Sequence, residues 1–197
     1  MGKGRLEAFS DGVIAILITI MVLELKVPDG PTLAALRPVL PVLVTYVLSF
    51  VFLGIYWNNH HHMLQATDRV SGAVLWANLH LLFWLSLIPF VTRWLGEYHS
   101  TALPTAVYGV VLLASGIAYT ILQMTIIRAQ GPGSTLAVAV QDDRKGKISV
   151  GCYALAIGLA FVEPWISYAL FVTVALIWLV PDPRIEKLVT RPVSPER

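Results

Sequence analysis

The sequence predicts an all-α, polytopic membrane protein with six transmembrane helices and both termini in the cytoplasm. Three observations carry that expectation. The mean hydropathy is +0.71, and charged residues make up only 13% of the 197, far below the share a soluble domain carries. Uncharged apolar runs recur at the length a helix needs to cross about 30 Å of hydrocarbon. Lys and Arg are segregated into alternate loops.

The spans follow in chain order. Residues 5–27 form the first segment, and 39–57, 70–92 and 105–127 are apolar runs that each suffice for a crossing. The stretch 148–180 is apolar apart from Glu163 and is too long for one crossing at about 1.5 Å per residue. Glu163-Pro164 is therefore expected to be a tight hairpin between two short spans, because proline and the residue before it disfavour a continuing helix. Trp57, Trp94, Trp165 and Trp178 fall near span ends, where interfacial aromatics belong. The first segment resembles a cleavable signal peptide in having Lys3 and Arg5 ahead of an apolar core, but Glu7 and Asp11 interrupt that core and no small-residue cleavage site follows.

Loop charge sets the orientation. Lys3, Arg5, Arg69, Arg128, Arg144, Lys145, Lys147, Arg184, Lys187, Arg191 and Arg197 fall on one side, against Lys26, Arg37 and Arg93 on the other. The first side is expected to be cytoplasmic, which demands an even number of spans. Residues 1–180 are read as one six-helix membrane domain and 181–197 as a mobile cytoplasmic tail rich in proline and charge. The loop around 129–147 is a solvated connection. Net charge of +2 is too small to suggest a nucleic-acid partner, and the single Cys152 excludes an internal disulfide.

The first segment carries the functional signal. Only Gly12 to Leu23 separate Asp11 from Glu24, about 18 Å of helix. Both carboxylates must then lie near or inside the hydrocarbon boundary, facing protein or water. On a helical wheel Gly12, Ile16, Thr19, Ile20 and Leu23 share one stripe; Asp11 lies off it, Glu24 sits near its edge, and Leu17 is expected on the lipid side. The bland reading of such a stripe is ordinary helix packing. Copies of this helix around an axis would instead stack Ile16, Ile20 and Leu23 as hydrophobic constrictions that gate by dewetting, with a hydroxyl ring from Thr19 between them and Glu24 at the mouth.

The run Asn58-Asn59-His60-His61-His62 invites a metal reading, yet adjacent histidines point about 100° apart on a helix and no Cys or acidic cluster lies nearby in sequence. No metal site and no enzyme is expected. A transporter would be expected to show internal repeats and helices broken at the midplane. Neither half of the chain resembles the other, and Pro89 and Pro164 lie near span ends, so a channel is favoured and a secondary ion transporter is kept as the alternative; a scaffold has no need of intramembrane acids.

Arg5-Leu-Glu-Ala-Phe9-Ser10-Asp11-Gly12, continuing to Thr19, resembles the RxxxFSD signature of the lysosomal potassium channel family, transmembrane protein 175. Weaker similarity runs through Trp57 and its histidines, Asn78-Leu-His80 and Pro89-Phe90. Six spans match the family's single repeat, of which prokaryotic members carry one. The resemblance implies a cell-membrane homotetramer among lipid, with four first helices lining a pore for K+ and no cofactor. It implies that Ile16 is the principal constriction, Ile20 and Leu23 the next rings, and Thr19 a hydroxyl linked to selectivity. Ala15 stands where double-repeat members can place serine. Phe9, Ser10 and Asp11 are expected to point away from the pore stripe and, with Arg5, to serve a structural motif and polar network. Ser10 and Asp11 would bond His80 or Asn78 of the third span.

Overall fold

The computed structural model describes residues 2–140 and 144–179; the tail expected at 181–197 and the acidic pair Asp142-Asp143 lie outside the described residues. Those residues form α1 (Lys3–Leu23), α2 (Leu33–Leu36), α3 (Leu40–Gln65), α4 (Gly72–Ser86), α5 (Ile88–Glu97), α6 (Ala102–Gln130), α7 (Thr135–Val140), α8 (Arg144–Leu159) and α9 (Pro164–Leu179). Among the described residues there is no strand, as expected for a chain that satisfies its backbone within each apolar segment. Four stretches, 3–23, 40–65, 72–97 and 102–130, are long and apolar enough to cross a membrane, and α9 is a shorter apolar helix.

Local chemistry sets the boundaries. The Ser71 hydroxyl caps α4 by accepting from Val74 N at 3.3 Å, and Thr32 caps the short α2 in the same way through Ala35 N. Pro89 has no N–H to give the preceding turn, so Leu87 N bonds Trp84 O at 3.2 Å and the helix tightens there before α5 runs on. Pro164 opens α9, where a missing N–H is harmless. Between α8 and α9 the N–H groups of Val162 and Glu163 both reach Leu159 O at 2.9 Å, closing the turn expected at Glu163-Pro164.

The long α6 packs against α4, α5, α8 and α9, contributing the buried Tyr108, Leu112, Leu122 and Ile126 to one continuous apolar core. Two glycines permit the closest approaches. A Cβ on Gly96 would lie 2.8 Å from Val42 Cα, and one on Gly109 would lie 2.9 Å from Ile157 Cγ1 and 3.2 Å from Phe171 Cζ. The first brings α5 onto the backbone of α3, and the second lets side chains of the α8–α9 hairpin press against the backbone of α6. A buried hydroxyl cluster reinforces the first contact: Ser49 Oγ is 2.9 Å from Tyr108 Oη and accepts from Thr92 Oγ1 at 2.7 Å. Against this assembly α1 lies across α3, α4 and α5.

Candidate functional site

The helix α1 has two sharply different faces. Leu6, Ser10, Ile14, Leu17 and Met21 recur at four- and three-residue intervals and are all at most 7% exposed. This periodicity buries one stripe against the rest of the protomer. Leu17 therefore belongs to the core. The expectation that it faces lipid is corrected, because the 100° step from Ile16 carries it onto the row of Ile14 and Met21.

The opposite face is Phe9, Gly12, Ile16, Thr19, Ile20 and Leu23, all exposed in the protomer, with Ile16 at 56% and Leu23 at 80%. Phe9 shares this face, since seven residues before Ile16 is two helical turns. The expectation that the whole Phe-Ser-Asp motif turns away from the stripe holds for Ser10 but not for Phe9. The Thr19 hydroxyl lies 3.0 Å from both Ala15 O and Ile16 O, so its proton is spent on its own helix and its lone pairs face outward. Ala15 is exposed beside it.

Ser10 begins a chain of buried hydrogen bonds. Its hydroxyl donates to Leu6 O at 2.9 Å and accepts from Asn78 Nδ2 at 2.9 Å, while Asn78 Oδ1 lies 2.7 Å from His60 Nε2. All three side chains are fully buried. The direction of the chain follows from its first member: with the Ser10 proton given to Leu6, Asn78 must turn its NH2 to Ser10 and its oxygen to His60, whose Nε2 then carries the proton. The link joins α1, α4 and α3.

Asp11 and His80 are not in this chain. Asp11, one step round the helix from Ser10, accepts from Trp57 Nε1 at 3.1 Å. His80 is exposed and accepts from Trp84 Nε1 at 3.0 Å. Asn78 and His80 are two residues apart, about 200° round a helix, so burying one exposes the other. Arg5 is exposed, and among the described residues no side-chain bond joins it to the network.

Glu24 is not a lone acid at a pore mouth. It pairs with Arg93 of α5, which also reaches Glu97 at 3.4 Å, while Lys26 lies 3.5 Å from the same Glu97. The ends of α1 and α5 are thus tied by alternating charges at the surface.

The sequence reading missed His60, Trp57, Glu7, His61 and Arg93. The acidic partners judged absent from the histidine run come from α1: His61 Nδ1 is 3.1 Å from Glu7 Oε1. One signal was available, since Glu7 and Asp11, like Trp57 and His61, are four residues apart and so share a helix face. Which faces would meet was not visible in either pair.

Comparison with known proteins supplies the remaining observations. Residues 5–89 match the family described as the endosomal/lysosomal potassium channel TMEM175. A Chryseobacterium sp. (strain P1-3) protein named as a potassium channel is 56% identical over 187 residues, covering 95% of this chain and 97% of that protein. A Streptomyces collinus protein of the same description is 37% identical over 180 residues, covering 85% and 86%. The crystal structure of a lysosomal potassium-selective channel TMEM175 homolog from Chamaesiphon minutus matches with a TM-score of 0.80 at 28% identity, covering 90% of this chain and 96% of that one.

Proposed function

The chain belongs to the TMEM175 family of potassium channels, and on that premise we propose that it forms a homotetrameric, potassium-permeable channel of the cell membrane with α1 as the pore-lining helix. Family membership makes it a membrane ion channel rather than an enzyme. In the proposed arrangement α1, α3, α4 with α5, α6, α8 and α9 are the six spans, residues 1–180 are the channel domain, and both termini are cytoplasmic. The charge segregation of the loops supports this orientation. A cysteine placed at Gly2 should resist membrane-impermeant labelling of intact cells; efficient labelling would reverse the topology.

The observation that carries the pore assignment is the exposed apolar stripe of α1. Its other face is fully committed to the protomer, so Ile16, Ile20 and Leu23 remain for contact with an axis shared by four copies. Rings of such side chains exclude water and close a pore by dewetting. Thr19, its hydroxyl proton already bonded, would offer oxygens to a dehydrating K+. Ala15 withholds a second hydroxyl one turn away, so discrimination against Na+ rests on Thr19. Glu24, tied to Arg93, would lie at the outer end of this path.

Bilayer recordings of purified protein test the assignment. Ile16→Asn should raise resting conductance several-fold, whereas Leu176→Asn, at an exposed position of α9, should not. If the Ile16 variant assembles normally and conducts no better than wild type, the stripe does not line the pore. A secondary transporter, the competing mechanism, would give saturating tracer flux without unitary currents.

A further inference from the structure

We propose that Glu7, Asp11 and His61 form a binding site for a borderline divalent transition cation, with Zn2+ preferred, that clamps α1 to α3. The inference is independent of which face of α1 lines a pore. Glu7 and Asp11 stack on one face of α1, and His61 approaches them from α3. One ligand atom from each lies within 4.8 Å of the other two, and all three residues are half-buried. Small rotamer changes bring such atoms to the spacing of ligands held about 2.0–2.2 Å from a common ion.

The imidazole is set up for this role. Its Nδ1 sits 3.1 Å from Glu7 Oε1, is shielded from solvent, and yet makes no hydrogen bond of acceptable geometry. The ring is stacked on Trp57, with centroids 6.1 Å apart and planes at 21°. His61 Nε2 lies 2.8 Å from the Gln65 amide. With that amide turned to present its oxygen, Nε2 keeps the proton and the Nδ1 lone pair faces the carboxylates. Trp57 also donates to Asp11 Oδ1 at 3.1 Å, orienting one oxygen and leaving the other for an ion. Outer partners of this kind fix metal ligands.

The donor set selects the ion. Two carboxylates match a divalent charge, and the imidazole nitrogen favours Zn2+ over Mn2+ and both over Mg2+, which prefers an all-oxygen octahedral shell. Water would complete the coordination from the exposed side.

Calorimetric titration of tag-free, EDTA-stripped protein in detergent with ZnCl2 tests the proposal. Saturable binding of one Zn2+ per chain is expected, together with a raised melting temperature, and MgCl2 should reproduce neither. Glu7→Gln and His61→Gln should each weaken binding about ten-fold or more and still fold, because neither residue belongs to the buried Ser10, Asn78 and His60 chain. His62→Gln and His99→Gln should bind as wild type. The proposal is overturned if Zn2+ binding is not saturable, if the Glu7→Gln/His61→Gln double variant binds as wild type does, or if His62→Gln abolishes binding instead.

Discussion

The inward and outward faces of α1 are built from similar side chains and have opposite fates. Leu17 and Ile16 are adjacent aliphatic residues, yet one is 7% exposed and the other 56%. The inward face gains its place from what it touches inside the protomer, and its polar member, Ser10, is accepted because Asn78 and His60 complete its hydrogen bonds. The outward face has no partner within the protomer; in the proposed assembly it faces the axis shared by four copies. Hydrophobicity alone therefore separates membrane from water but not the buried face of a helix from its exposed one.

Substitutions on the two faces should separate these roles most strongly at Leu17. Leu17→Asn puts an amide into the core without a partner and removes aliphatic packing, at a cost of about 3 kcal/mol or more; folded protein should largely disappear from size-exclusion profiles. Ile16→Asn should leave the profile and melting temperature near wild type. Equal losses from the two variants would erase the distinction between the faces.

The buried hydrogen-bond chain comes next. Asn78→Leu strands Ser10 and His60 and should cost about 2–3 kcal/mol, seen as a lower melting temperature. Adding Ser10→Ala to it should cost less than the sum of the two, since the partners act as one unit. Strict additivity would show that the link contributes little.

Asp11→Ala should have a moderate effect, about 1 kcal/mol, from loss of the Trp57 hydrogen bond. It should alter melting more than reversal potential. Changed reversal potentials with unchanged stability would move Asp11 into the ion path. The smallest effect is expected from Arg93→Gln, because surface ion pairs are screened by solvent and salt; melting in low and high salt should barely differ from wild type.

Legibility differed by level. The hairpin at Glu163-Pro164 was readable because proline chemistry is local, whereas the tightening before Pro89 was passed over when 70–92 was read as one uninterrupted span. The stripe of Ile16, Thr19, Ile20 and Leu23 was readable because helical periodicity is local as well. Phe9 was misassigned by treating a sequence motif as one unit, although three consecutive helical residues span about 200°. The choice of Asn78 over His80 as partner of Ser10, and of Trp57 for Asp11, depended on how α3 and α4 rotate against α1.

By itself, the sequence determined that this chain is helical, apolar and punctuated at particular residues, since hydropathy, proline and helical period act over a few residues at a time. Only the tertiary structure decided which polar groups meet. Ser10 and His60 are joined through Asn78, Glu7 approaches His61, and Glu24 is held by Arg93. Each of these contacts is set by the rotation and close approach of whole helices, which glycines such as Gly96 and Gly109 permit and which no local pattern encodes.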